Sequence, residues 1–316
     1  MEKCTSLSTV STTSVDVFDS EHVDNQQNSR KKDYFIDFDK YFMSFQSKIE
    51  QMEKCTSLST VSTTSVDVFD SERVDNQLNS RKKDYFIDFD KPLLSQISNL
   101  RKNEYFEVLS RPNCTSKVLR LFEWDIFEYF SKTRWFVIPL IYLPVSFLLM
   151  FLGLYIFHST YTMCAVLFVT GLFVWSLSEY TFHRFLFHLI EEYLPDNHIC
   201  ILLHFALHAV HHLLPRDPLR LVMPPALLLF FLSPFVFFSI AFIPSNCSFP
   251  LWSGIISGYL CYDMIHYSSH HFSFIDKLPH LRRMKVYHMK HHFKDSTKGF
   301  GVSTKIWDYV FGTLIV

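Results

Sequence analysis

Lysine and arginine are missing from two long stretches of this 316-residue chain. Between Trp135 and His183 neither occurs, and the only acid is Glu179. Between Leu221 and Phe274 neither occurs, and the only acid is Asp263. A soluble core helix has no need of such gaps, whereas a hairpin crossing a bilayer does. A surplus of either charge is missing as well. Thirty Lys and Arg against 31 Asp and Glu leave a net charge of −1, without the basic excess of a general nucleic-acid binder. The seven cysteines form no CxxC pair and are odd in number, which excludes a zinc ribbon and gives no sign of a disulfide framework. Residues 1–20 are rich in Ser, Thr and Asp and lack the apolar run of a cleavable signal peptide.

What is present begins with an internal repeat. Residues 1–40 recur at 52–91 with two differences, His22 against Arg73 and Gln27 against Leu78. Two near-identical copies are too few and too alike for a solenoid. The Ser/Thr/Asp-rich composition of 1–83 predicts a disordered tail. Residues 84–134 read as a cytosolic arm ending in an amphipathic interfacial helix over 121–135, with Trp124 and Trp135 suited to the headgroup region. From 135 to 316 the chain reads as a membrane-embedded domain. Apolar segments at 135–157, 161–180, 221–243 and 250–265 pair into two hairpins around the turns "HST" and "PSNCSF". At 1.5 Å per residue, ~20 residues cross the ~30 Å hydrocarbon layer. The fourth segment is short and is expected to continue as a helix into water. Neither turn carries Lys or Arg. The opposite side carries Lys117, Arg120, Lys132 and Arg134, then Arg184, Arg216 and Arg220, then Lys277 through Lys305. Both termini and the 181–220 loop are therefore expected in the cytosol.

Fourteen of the 16 histidines lie between residues 183 and 292. "HAVHH" (208–212) and "HMKHH" (288–292) share the spacing HxxHH, and positions i, i+3 and i+4 share one helix face. Each motif is expected to present three imidazoles to a common point. His266 and His270 form an i, i+4 pair beyond the fourth segment. His183 and His188, five apart, converge only if the helix ends or kinks between them. His183, His188, His208, His211, His212, His266, His270, His288, His291 and His292 thus form ten candidate ligands, enough for two ions at about five each. His204 and His271 are weaker candidates. His22, His158, His198 and His280 read as ordinary structural or surface residues. The expected fold is an all-α integral membrane protein: four transmembrane helices in two hairpins, with a cytosolic helical cap holding a dinuclear His-rich metal site.

Imidazole suits Fe, Zn, Cu or Ni. An all-nitrogen pair of sites beside a bilayer points to oxygen chemistry on a lipid, because breaking an unactivated C–H bond needs an oxidant that side chains lack. A transporter would place its ligands at mid-bilayer. Asp263, three residues before His266, is the only acid in the third and fourth apolar segments.

The motifs "EYTFHRFLFH", "HFALHAVHHLLPRDPLRLVMPP", "GYLCYDMIHYSSHH" and "YHMKHHFKDSTKGFGVSTKIWDYVFGT" resemble those of the sphingolipid fatty acid 2-hydroxylases, within the fatty acid hydroxylase and sterol desaturase superfamily. The resemblance runs from about residue 88 to the C-terminus. The His pattern alone also fits sterol or acyl-chain oxidases and desaturases, or a metal-binding membrane protein without redox chemistry. "RLVMPP" and "FGVSTKIWDYVFGT" favour the 2-hydroxylase branch. The resemblance implies a multi-pass endoplasmic-reticulum enzyme that uses O2 to hydroxylate C2 of a very-long-chain fatty acid, free or in ceramide. It implies iron as the active metal, with zinc able to occupy the sites. It carries over the ten ligand positions, and we expect His183, His188, His208, His212 and His291 on one ion and the other five on the second. It also assigns Tyr259 and Asp263 to the substrate side. Asp263 then holds the substrate's carboxyl or amide group, or orients a ligand imidazole. Many family members carry an N-terminal cytochrome b5 domain. Residues 1–152 contain no glycine and only His22, too little for two axial haem ligands, so electrons are expected from a separate cytochrome b5 and its reductase.

Overall fold

The computed structural model describes residues 87–188 and 193–315. The duplicated segment 1–83, with its expected disorder, lies outside them. Every regular element among the described residues is helical.

Two short helices open the arm, α1 (Leu93–Ile97) and α2 (Lys102–Leu109). Their apolar residues Leu93, Ile97, Tyr105 and Val108 form one core with Leu121, Ile201, Phe205, Val210 and Leu213. The backbone adds hydrogen bonds from Leu93 N–H to Arg120 O (3.0 Å) and from Asn113 N–H to Leu213 O (2.7 Å). The arm is thereby fixed to the segment that carries HAVHH.

The amphipathic helix expected over 121–135 is shorter, α3 (Asp125–Phe130). Trp124, Ile126, Phe127, Tyr129 and Phe130 are exposed, while Glu128 is buried beneath them. The Glu128 carboxylate accepts from the Leu121 and Phe122 N–H groups (2.9 and 3.0 Å), pairs with Lys132 (2.7 Å) and meets the buried Arg220 guanidinium. Burial pushes this carboxyl up, but the hydrogen bonds from Lys132 and the backbone, with the Arg220 charge, hold it down at about 2. A depressed carboxyl stabilises the fold above its ordinary value near 4.5 and loses that contribution as pH falls toward 2. Glu128→Gln is therefore expected to flatten the acid limb of a stability–pH curve measured in detergent.

The apolar segments form four longer helices. They are α4 (Val137–Phe151), α5 (Tyr161–Thr181), α8 (Pro225–Phe242) and α9 (Ser245–His271). α4 runs on through a π-helical turn, Leu152–Ile156, and α5 through another, Phe182–Phe187. The stretches Val137–Ile156 and Tyr161–Phe187 are long and apolar enough to cross a bilayer. Pro225–Ser239 is apolar but shorter. The second segment thus extends beyond its expected end at 180. The expected 244–249 turn is almost entirely absorbed into α9, which begins at Ser245.

α9 is the hub, packed against both α4 and α5. Its small residues make this possible. A Cβ on Gly254 would stand 2.1 Å from the Phe168 carbonyl oxygen, and one on Gly171 of α5 would stand 2.3 Å from that of Leu251. Hydroxyls bind the other flank: Ser146 Oγ lies 3.0 Å from Ser253 Oγ and 2.7 Å from Ser257 Oγ. Small residues with interhelical hydroxyl bonds are the usual means of holding apolar helices together where no water drives them. Gly254→Ala is expected to destabilise by about 1–3 kcal/mol or more through overpacking, read as a fall in melting temperature in detergent.

Of the remaining elements, α6 (His198–His204), a π-helical turn Phe205–Ala209, α7 (Val210–Leu213) and α10 (Pro279–Phe293) carry histidines, and α11 (Ile306–Val310) carries none.

Candidate metal centre

The ten clustered histidines come together in two groups of five. His183, His188, His208, His212 and His291 form the first; His211, His266, His270, His288 and His292 form the second. Within each group the candidate ligand atoms lie within 4.8 Å of one another. The division coincides with the one expected from the sequence. The groups touch, since the His212 and His292 rings stack at 4.1 Å between centroids.

One expectation needs correcting: an HxxHH motif does not aim its three rings at one point. His208 and His212 join the first group and His211 the second; His288 and His292 join the second and His291 the first. Helix geometry gives the reason. At about 100° per residue, position i+4 lies about 40° to one side of i and i+3 about 60° to the other. Each motif therefore straddles both groups.

The spacing of five between His183 and His188 is resolved by the π-helical turn. His188 N–H donates to His183 O (2.9 Å), an i to i+5 bond, and the wider turn brings the two rings to 4.9 Å between centroids. Such turns recur at functional sites.

The geometry suits metal ions. Nε2 atoms face one another at 3.2 Å for His183 and His208, 3.0 Å for His208 and His212, and 2.9 Å for His188 and His291. In the second group the pairs His211–His266, His270–His288 and His288–His292 each stand at 3.0 Å. Two nitrogens ~2.1 Å from a shared ion at a right angle are ~3.0 Å apart. His183 Nδ1 donates to Phe300 O (2.5 Å) and His291 Nδ1 to Lys298 O (2.6 Å), so their Nε2 lone pairs point inward. Burial, reinforced by neighbouring imidazoles, holds His188, His208, His211, His212, His288 and His292 well below the ordinary histidine range. Neutral rings are the form a metal binds.

The weaker candidates stand apart. His204 accepts from the Tyr105 hydroxyl at Nδ1 (2.7 Å) and also hydrogen-bonds the Phe187 backbone. His271 stacks on Tyr267 at 4.4 Å between centroids. Neither joins a group. His198 and His280 are exposed.

A cavity of ≈ 800 Å³ reaches the groups from the apolar side. It is lined by Phe127 and Phe130 of α3 and by Phe230, Phe231 and Phe235 of α8, and it ends at His208, His211 and His266. Tyr259 and Asp263 lie along it, both buried, with the tyrosine hydroxyl donating to the carboxylate (3.0 Å). A second, more polar cavity of ≈ 630 Å³ approaches His188, His208, His212 and His292 past Asn103, Glu107, Arg184 and Asp295.

Sequence reasoning missed the segment 298–303, whose carbonyls receive the His183 and His291 protons. It also missed the two buried acids that hold this segment, Glu179 and Asp308. Glu179 was visible as the only acid in its apolar stretch; Asp308 carried no such signal.

The fatty acid hydroxylase family profile matches residues 168–313. The ceramide very long chain fatty acid hydroxylase of Saccharomyces cerevisiae is 39% identical over 240 residues, covering 75% of this chain and 61% of its own. The dihydroceramide fatty acyl 2-hydroxylase FAH2 of Arabidopsis thaliana is 36% identical over 235 residues, covering 73% and 94%. A solved structure of full-length Scs7p, in which only the hydroxylase domain is visible, superposes with a TM-score of 0.68 at 37% identity, covering 74% of this chain and 88% of that one. The chain spans under two thirds of the length of the yeast relative and 94% of the plant relative.

Proposed function

The chain belongs to the fatty acid hydroxylase family, and from that premise we propose that it hydroxylates C2 of very-long-chain acyl groups for sphingolipid synthesis. The observation that carries this reading is the ≈ 800 Å³ apolar cavity that ends on His208, His211 and His266. An acyl chain fits its phenylalanine-lined length, and the Tyr259–Asp263 pair beside it suits a polar head.

The ten imidazoles would hold two metal ions, five rings to each. Iron bound there supplies the O2-activating chemistry that side chains lack, and zinc can occupy the same nitrogens. One oxygen atom of O2 enters the C2–H bond and the other leaves as water, which requires two electrons and two protons. We assign the electrons to a separate cytochrome b5 and its reductase. The protein's own part is positional. The cavity wall excludes water and aligns the chain, and Asp263 with Tyr259 fixes the head so that C2 faces the histidines. The polar second cavity offers protons and product water a route that the lipid does not occupy.

We place the enzyme in the endoplasmic-reticulum membrane with four spans, α4, α5, α8 and α9, and with both termini and the metal centre cytosolic. The exposed aromatics Trp124, just before α3, Tyr129 of α3 and Tyr309 of α11 suit the headgroup layer beside those spans.

The test is a turnover assay on ceramide and on free fatty acid in parallel, with metal analysis of the same sample. We expect about two ions per chain and a 2-hydroxy product that requires O2 and reductant. Lipids of cells lacking the protein are expected to lose 2-hydroxy sphingolipids. Unchanged 2-hydroxy sphingolipids with an altered sterol profile would overturn the assignment.

A further inference from the structure

The two groups of histidines are not held alike, and the difference traces to one segment. Residues 298–303 run between α10 and α11 as a strap. Its carbonyls face the first group: Phe300 O accepts from His183 Nδ1 and Lys298 O from His291 Nδ1. Its amides face two buried carboxylates. Asp308 of α11 accepts from the Phe300 and Gly301 N–H groups (2.9 and 2.8 Å) and from Thr313 Oγ1 (2.8 Å). Glu179 of α5 accepts from the Val302 and Ser303 N–H groups (2.8 and 2.9 Å) and from the Ser303 hydroxyl. Four consecutive amides are thus pinned by two acids that are 4% and 0% exposed. Gly301 admits the approach, since a Cβ there would stand 2.9 Å from Asp308 Oδ2.

The second group has no such support at two of its rings. His288 Nδ1 and His292 Nδ1 are buried without a hydrogen-bond partner among the described residues. An imidazole that ligates through Nε2 carries its proton on Nδ1. An acceptor for that proton fixes the tautomer, orients the ring and raises its basicity, and losing one typically costs 10–100-fold in metal affinity.

We infer that the two ions are held unequally: the ion on His183, His188, His208, His212 and His291 is retained, and the ion on His211, His266, His270, His288 and His292 exchanges. Glu179 and Asp308 are positioning residues for the retained ion, acting through the strap and touching no ligand ring themselves. This rests on the ligation proposed above. It adds an order of loading and release, and it gives a metal-supporting role to Asp308 and to Glu179, which also lines the cavity that holds Asp263.

The holoprotein in detergent is dialysed against graded EDTA, and ions per chain are counted by elemental analysis. Two steps are expected, separated by about 10–100-fold in chelator concentration. His292→Ala should remove the weaker step and His183→Ala the tighter one. Glu179→Gln and Asp308→Asn should shift the tighter step toward the weaker by about 10–100-fold and leave the weaker in place. If those variants fail to fold, Ser303→Ala, which removes only the hydroxyl donor, should shift the tighter step in the same direction by less. A single step in the unaltered protein overturns the inference. So does a tighter step that belongs to the His292 group, or a Ser303→Ala protein of normal melting temperature with both steps unmoved. A chain that binds no metal would instead sink the functional reading itself, so the two failures are distinguishable.

Discussion

Replacing His288 with alanine is expected to abolish turnover and to empty the second group of metal. The His288 side chain is fully buried, and its Nε2 stands 3.0 Å from both His270 Nε2 and His292 Nε2, so it sits between two of its four partners. Removing it takes away one nitrogen and opens a gap in a packed cluster of rings. The loss should exceed the 10–100-fold that follows when only an outer hydrogen-bond partner is removed. Turnover is expected to fall by more than about 100-fold, with elemental analysis showing at least one ion lost per chain. His204→Ala provides the contrast. That residue is buried only four positions before His208 but bonds Tyr105 and the Phe187 backbone, so its loss should leave the ion count intact. Full activity in His288→Ala would remove the basis for the metal reading.

Asp263→Asn is expected to separate two roles that the sequence leaves open. Among the described residues, hydrogen bonds to this carboxylate come from the Tyr259 hydroxyl and from the Met223 backbone, and none comes from an imidazole. That pattern favours an anchor for substrate over an orienter of a ligand ring. An anchor matters because a misplacement of about 1 Å at the reacting carbon can cost ~100-fold in rate. The variant should therefore keep both ions and lose turnover on ceramide by about two orders of magnitude. Tyr259→Phe, which removes the hydroxyl that bonds the acid, should fall in the same direction by less. Loss of metal from Asp263→Asn would move the residue to the ligand-supporting side instead.

The clustering of the ten histidines was the most legible part of the chain because its signal is local. Imidazoles at i, i+3 and i+4 on a helix, and pairs beyond the ends of apolar segments, can be read from spacing alone. What spacing did not give was the splitting of each HxxHH motif, since that depends on which flank of the helix faces a neighbour. The pairing of His183 with His188 required a π-helical turn, which composition does not announce. The strap was less legible still. Its function lies in backbone carbonyls at Lys298 and Phe300, and a carbonyl leaves no mark on residue identity. The Glu128–Arg220 pair joins residues far apart in sequence, so neither looked special alone. The apolar segments located four helices but placed the second end too early and read Ser245–Phe249 as a turn. Ser, Asn and Cys there are poor helix formers, and packing of α9 along α4 and α5 overrides that preference.

The splitting of the HxxHH motifs has a consequence for how such a centre can arise or be redesigned. Under the proposed ligation, the helical segments bearing HAVHH and HMKHH each lend rings to both ions, so the two sites are interlocked like clasped hands. Deleting either segment would disarm both at once. A one-ion ancestor or a stripped-down mononuclear catalyst is therefore out of reach by excision, and would have to be made ring by ring, with every helix left standing.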